Sequence, residues 1–126
     1  MTKLQLAKTR QKVRALKARR NVLEHVAMAH HPMVAGSFIE RHFQKTGQTA
    51  YFLSIPTPQN SWHRYVRKAE VEHFRRRVAA WSEYVNAMAE WVRTNKEIEQ
   101  LLRSLGKGRC EKLEIRRGKK RRKPGA

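Results

Sequence analysis

The side chains able to carry metal or nucleophilic chemistry are few in this chain, and their spacing matches no site of that kind. The 126 residues include six His, one Cys and no Asp. No CxxC, HxxxH or HExxH spacing is present, and neither Ser37 nor Cys110 has an evident base with an orienting partner. Metal-dependent nucleases need clustered carboxylates to hold hard cations, and all ten acids here are scattered Glu. The sequence therefore predicts a protein that is not an enzyme, with no catalytic residue, bound metal or cofactor.

Binding chemistry is better represented, because basic side chains dominate the charge. The chain has 29 Lys and Arg against ten acids, a formal net charge of +19 at pH 7. Most of the excess lies at the two ends: residues 1–20 hold eight basic residues and no acid, and residues 106–126 hold ten against two. Self-repulsion of this size predicts a polyanionic partner. Nucleic acid is the first candidate, and an anionic membrane surface is the weaker one.

Three groups of basic residues are the candidate nucleic-acid-binding side chains. The first group lies near the amino terminus and contains Lys8, Arg10, Lys12, Arg14, Lys17, Arg19 and Arg20. The second group lies in the middle of the chain and contains Arg64, Arg67, Lys68, Arg75, Arg76 and Arg77. The third group lies near the carboxyl terminus and contains Arg116, Arg117, Lys119, Lys120, Arg121, Arg122 and Lys123.

The middle group is interleaved with the aromatic residues Trp62, His63 and Tyr65. Such a combination is typical of surfaces that stack unpaired bases and hold phosphates. A small sheet also needs large side chains to build a core, however. We therefore expect Trp62 and Tyr65 to cover the sheet core and the arginines to be available for binding.

The elements that must position these side chains follow from hydrophobic spacing. A stripe containing Leu6, Val13, Leu16 and Leu23 predicts a helix over residues 3–30. Short aromatic and β-branched runs separated by turn signals predict a three-stranded antiparallel meander over residues 36–68. In its middle strand, the alternate residues Tyr51, Leu53 and Ile55 share one face.

A second, longer helix is predicted over residues 69–105. Its apolar residues alternate by three and four as in a heptad seam: Val71, Phe74, Val78, Trp81, Val85, Met88 and Val92. Trp91, Ile98 and Leu105 continue the pattern from a neighbouring position. Residues 1–105 thus form one predicted domain, and residues 106–126 are predicted to be a flexible basic tail.

The two helices are expected to pack as a long antiparallel hairpin with the sheet at the connecting end, giving an α+β fold. In that arrangement the start of the first helix lies beside the end of the second. The two basic ends of the chain would then form one electropositive pole.

Parts of the sequence resemble an uncharacterised family of small bacterial and archaeal proteins often found with mobile elements. The matching segments are GSFIER at 36–41, AYFLS at 50–54, RYVRK at 64–68, and the pair Trp81 and Tyr84. QKTGQTA stands where that family has a Cys-containing knuckle, so no metal knuckle is expected here. The resemblance implies an accessory role linked to nucleic acid and is silent about mechanism.

Together these observations predict a cytoplasmic, non-enzymatic accessory protein that holds RNA or duplex DNA mainly through phosphates, within a nuclease, transposase or other mobile-element complex. The alternative is a coiled-coil module that dimerises through the long helix, with Asn95 fixing its register, or docks on a larger protein. Membrane binding is not expected, because the apolar stripe is needed for packing. No RNP, helix-turn-helix or zinc-finger pattern distinguishes RNA from DNA.

Overall fold

In the computed structural model, which describes residues 1–114, two long antiparallel helices are joined through a small sheet. The elements in chain order are α1 (Lys3–Ala27), β1 (Ser37–His42), β2 (Thr49–Pro56), β3 (Ser61–Val66) and α2 (Val71–Arg109), the last preceded by a 3-10 turn (Lys68–Glu70). The predicted α+β fold, a helical hairpin with a three-stranded antiparallel sheet at its connecting end, is confirmed. Residues 115–126, which contain the third group of candidate basic residues, lie outside the described part of the chain.

Helix α1 begins at a capping box and ends earlier than predicted. The Thr2 hydroxyl accepts a hydrogen bond from the backbone N–H of Gln5, and the Gln5 side chain accepts one from the N–H of Thr2. The helix stops at Ala27, three residues before the expected end at residue 30. The chain must then turn back along α2, where the N–H of Val34 donates to the carbonyl of Arg77 at 3.1 Å.

The sheet has the strand order β1-β2-β3, with both pairs antiparallel. Its register places Phe38 opposite Leu53 and Tyr51 opposite Val66. Gly47 takes a positive φ of 66° in the β1–β2 loop, a conformation that glycine adopts without steric cost. The predicted face of Tyr51, Leu53 and Ile55 is the one that α2 covers, since Leu53 packs with Val71.

Helix α2 is 39 residues long and extends to Arg109, beyond the predicted end at residue 105. Gly106 and Gly108 lie inside it, although glycines at these positions were expected to begin the tail. Met1 packs against Gly108 closely enough that a Cβ there would lie 2.6 Å from the Met1 sulfur. The start of α1 therefore lies against the last turns of α2.

Two separate cores hold the molecule together. Val13, Ile98 and Leu105 are buried between the helices, with Leu6, Leu16 and Leu101 packed against them. Leu53, Val66 and Val71 are buried between the sheet and the start of α2, with Phe38, Tyr51, Phe74 and Val78 around them. Only the first residues of the predicted heptad seam, Val71, Phe74 and Val78, pack in the sheet core. The residues of α2 that are buried further along are Ala87, Thr94, Ile98 and Leu105.

Candidate nucleic-acid interface

One side of α1 is joined to α2 by ion pairs. Lys12 Nζ lies 3.4 Å from Glu97 Oε1, and Arg19 Nε lies 2.8 Å from Glu90 Oε1. The partner number falls along α2 as the residue number rises along α1, which confirms the antiparallel arrangement. We call this side, defined by Lys12 and Arg19, the paired flank. Both of its basic residues are candidate site residues whose charge is already met by a carboxylate.

The opposite side of α1 carries basic residues without acidic partners. Residues seven, four and three apart fall on one side of a helix, and this spacing groups Lys3, Arg10, Arg14 and Lys17. We call these four residues the basic flank. All four are exposed, and within residues 1–114 none of them forms an ion pair or a side-chain hydrogen bond. Lys8 is also exposed and unpaired in this part of the chain, but its spacing places it beside the paired flank.

Arg20 lies close to the helix interface. Its Nη1 donates to Asn95 Oδ1 at 3.0 Å, and its Nε lies 3.9 Å from Glu24. Glu24 in turn accepts a hydrogen bond from Trp91 Nε1 at 3.1 Å. Arg20 therefore helps to join the helices, and Asn95 has a partner within its own chain.

The basic flank continues toward the open end of the hairpin. Met1 packs on Gly108, so Lys3 lies near the end of α2, where Lys107 and Arg109 are exposed. The chain after α2, which leads to the carboxyl-terminal basic group, therefore starts close to the amino-terminal end of α1. The positions of the residues from Arg116 to Lys123 lie outside the described part of the chain.

Two arginines of the middle group cover aromatic rings of the sheet core. The guanidinium carbon of Arg64 lies 5.1 Å from the ring centre of Phe74, and that of Arg75 lies 5.3 Å from Phe38. Each is also paired with a carboxylate: Arg64 with Glu70 at 3.5 Å, and Arg75 with Glu72 at 2.9 Å. Aromatic rings and acids therefore already engage these two arginines, and their availability for binding stays a prediction.

The other four residues of the middle group are spread over different surfaces. Arg67 lines an open cleft along β3 together with Trp62 and Arg64. Arg76 and Arg77 line a shallow cleft with His31 and Pro32. Lys68 is exposed at the start of the 3-10 turn. The middle group is thus not one continuous basic patch.

Tyr65 does not cover the sheet core, which corrects the sequence prediction for this residue, whereas Trp62 lies opposite Ile55 on the face toward α2. Trp62 and Tyr65 are 51% and 60% exposed. Tyr65 is directly opposite Phe52, a residue of the outer face that the sequence reading did not single out. The signal was present in the run AYFL, where consecutive large apolar residues point to both faces of the strand.

Metal-binding groups and membrane-crossing helices were the other two features considered in the described residues. Within residues 1–114 there is no group of three or more His, Cys, Asp or Glu placed to hold a metal ion. In the same part of the chain, no helix combines the length and the apolar character needed to cross a membrane.

Comparison with known proteins gives no relative from which a role can be transferred. No protein-family model, no curated protein and no solved structure matches this chain. The resemblance to the mobile-element-associated family therefore stays a prediction.

Proposed function

We propose that this protein is a non-enzymatic nucleic-acid-binding accessory protein that holds RNA or duplex DNA mainly through backbone phosphates. The observation that carries the proposal is the basic flank of Lys3, Arg10, Arg14 and Lys17, which has no acidic partner within residues 1–114. The basic side chains of the paired flank, by contrast, are met by Glu90 and Glu97.

The asymmetry between the two flanks has an energetic meaning. Arg10 and Arg14 are four residues apart and Arg14 and Lys17 are three apart, so their like charges repel along the helix. This repulsion weakens α1 in the absence of an anion. A row of phosphates reverses the sign of the interaction and releases the counterions that the nucleic acid had condensed.

The dimensions of the basic flank suit a nucleic-acid backbone. From Lys3 to Lys17 the helix rises about 21 Å, at about 1.5 Å per residue. Because the phosphates of a B-form strand wind around the duplex, a straight flank of this length faces only a few of them at once, which suits its four cations. Contacts to phosphates fix position and carry no sequence information, and we therefore expect low sequence specificity. Specificity would come from a larger protein partner, such as the nuclease or transposase of a mobile element.

Salt titration tests the proposal on the unmodified protein. Binding to labelled duplex DNA and duplex RNA, followed by fluorescence anisotropy, is expected to weaken steeply between about 50 and 200 mM salt. The logarithm of the binding constant is expected to fall linearly with the logarithm of the salt concentration. No binding at low salt, or an affinity that does not change with salt, would contradict the phosphate-binding proposal.

A second candidate function is self-association through α2, and one specific observation favours it. The middle of the predicted heptad seam has no covering element within residues 1–114: Val85 and Val92 are 42% and 49% exposed, with Met88 between them on the same stripe. A second copy of α2 would bury this stripe as in a coiled coil. The Asn95 side chain accepts a hydrogen bond from Arg20 of its own chain, and its role in the register of a dimer stays a prediction.

Light scattering tests this second candidate. A dimer at micromolar concentration that Val85→Glu and Val92→Glu convert to a monomer would support it. A wild-type protein that is monomeric at that concentration would exclude it.

A further inference from the structure

The outer face of the sheet carries an aromatic pair that the hairpin core does not use. Phe52 on β2 and Tyr65 on β3 lie directly opposite each other in the register. Their ring centres are 5.8 Å apart and their planes are inclined by 72°, an edge-to-face arrangement. Strand alternation places Ile39, Arg41 and His63 on the same face, and together these five residues line a shallow cleft. We call this surface the aromatic platform.

The aromatic platform is open because α2 covers the other side of the sheet. Leu53 and Val66, which point toward α2, are only 1% exposed. On the platform, Tyr65, Arg41 and His63 are exposed, and Phe52 is partly exposed. Within residues 1–114, the cleft is lined by side chains of the three strands alone.

The charge of the aromatic platform indicates what would cover it. The Arg41 guanidinium carbon lies 5.6 Å from the ring centre of Phe52, so a cation borders the aromatic surface. Strand alternation places no acidic residue on this face, and Glu40 points to the opposite one. Lys45 adds a further cation in the adjoining loop. A second copy of this face would bring two cationic surfaces together, so an anionic occupant is favoured.

We propose that the aromatic platform binds single-stranded nucleic acid, with unpaired bases stacking on Phe52 and Tyr65 and with Arg41 contacting the adjoining phosphates. Exposed aromatic rings bordered by Arg are the means by which proteins hold unpaired bases without reading their sequence. In a duplex the base faces are already stacked on one another, so the rings have nothing to stack on. This inference rests on the proposed function and deepens it, because it names the form of nucleic acid that the sheet binds.

The aromatic platform and the basic flank lie at different ends of α2. The sheet packs on α2 near residue 75, whereas the basic flank of α1 lies alongside the stretch around residue 98. At a rise of about 1.5 Å per residue, these positions are about 35 Å apart. Substitutions at the two surfaces should therefore have independent effects on binding.

The test replaces the rings while keeping apolar side chains in the sheet. Wild-type protein and the double variant Phe52→Leu, Tyr65→Leu are titrated into a labelled single-stranded RNA of about 20 nucleotides, the single-stranded DNA of the same sequence, and the matching DNA duplex. The control variant is Trp62→Leu, which removes a similarly exposed aromatic residue that strand alternation assigns to the opposite face. Circular dichroism verifies that each variant is folded, and Tyr65→Leu alone replaces the double variant if that one unfolds.

We expect the double variant to bind at least one of the two single strands about tenfold or more weakly, because the unpaired bases lose the rings on which they stack. Binding to the duplex should be unchanged, and the slope of affinity against salt should stay the same, since no phosphate contact of the basic flank is removed. A loss for RNA alone or for DNA alone would also identify the sugar that the platform accepts.

The aromatic platform is excluded if the double variant binds all three probes as the wild type does, if it loses affinity for the duplex and the single strands equally, or if Trp62→Leu shows the same loss. Any of these results leaves the proposed function intact, because the wild-type protein still binds. A wild-type protein that binds none of the three probes removes the proposed function itself.

Discussion

Arg19 on α1 and Glu90 on α2 form a two-point ion pair across the helical hairpin. Arg19 Nε donates to Glu90 Oε1 at 2.8 Å, and Arg19 Nη2 donates to Oε2 at 2.9 Å. The hydrogen bond from Arg19 lowers the pKa of Glu90, and the same hydrogen bond raises the pKa of Arg19. This pair sets the paired flank apart from the basic flank, whose cations have no such partner within the described part of the chain.

The first prediction is that this pair makes the stability of the hairpin depend on pH. Because the pKa of Glu90 is lowered in the folded protein, its contribution is complete above the ordinary value of 4.5 and is lost as the pH falls through the lowered pKa. We therefore expect Glu90→Gln to be less stable than the wild type at neutral pH, with the difference shrinking as the pH falls below 4.5 and through the lowered pKa. Urea unfolding at neutral pH and at a series of acidic pH values measures it. Glu83→Gln, which removes a Glu without an ion pair in residues 1–114, is the control, and a difference that is independent of pH would contradict the prediction.

The second prediction concerns the core between the helices. Ile98 is 4% exposed and packs with Val13 and Leu105, so Ile98→Ala leaves a cavity there. We expect a loss of about 2–4 kcal/mol in the free energy of unfolding. Val92→Ala is the control on the same helix, because Val92 is 49% exposed, and it should cost less than about 1 kcal/mol. Equal losses in chemical denaturation would show that Val92 is as buried as Ile98.

The third prediction contrasts two glycines. A Cβ at Gly36 would lie 2.6 Å from the carbonyl oxygen of Ser54, a backbone atom of β2, whereas a Cβ at Gly106 would meet nothing within 4 Å. We expect Gly36→Ala to destabilise the protein by about 1–3 kcal/mol, since backbone must shift. Gly106→Ala should stabilise it by up to about 1 kcal/mol, because Ala loses less backbone entropy in a helix. Thermal unfolding distinguishes the two, and a destabilising Gly106→Ala would argue against a helix through residue 106.

The fourth prediction concerns the carboxyl-terminal basic group. If this group and the basic flank bind the same phosphates, their effects on affinity should be coupled. One variant neutralises Lys119–Lys123 together with Arg10, Arg14 and Lys17. We expect its loss of duplex affinity to differ from the sum of the losses in the two separate variants. Anisotropy titrations of the two partial variants and the full variant form the cycle. Losses that simply add would argue against a shared set of phosphates.

The sequence was sufficient for the architecture of the hairpin. Regular apolar spacing predicts the two helices, and the turn signals of residues 36–68 predict the meander between them. The matched apolar stripes of the two helices predict their antiparallel packing. Helix ends were less predictable. Gly106 and Gly108 are poor helix formers, but Leu105 is buried against α1 and Met1 packs on Gly108, and this packing outweighs their propensity.

It was harder to predict which residues of α2 pack against α1, because the buried residues on that side are not all apolar or large. Ala87 and Thr94 are buried with Ile98, yet neither contributes strongly to a hydrophobic pattern. The seam through Val85 and Val92 is predicted to be packed, although these two residues are 42% and 49% exposed. The ion pairs between the helices were also not predictable from the sequence. Pairing Arg19 with Glu90 requires knowing how each helix is rotated about its own axis relative to the other.

The share of the phosphate contacts that the basic flank makes gives the most direct test of the central claim. One variant replaces Arg10, Arg14 and Lys17 of the basic flank with Gln. A matched variant replaces Arg93, Lys96 and Arg103 of α2, exposed residues outside the basic flank, so both lose the same charge. We predict that the first variant lowers the slope of log affinity against log salt by about 2–3 units for duplex DNA, and that the second leaves it nearly unchanged. Equal reductions in the two variants would contradict the account, because net charge alone would then explain the binding.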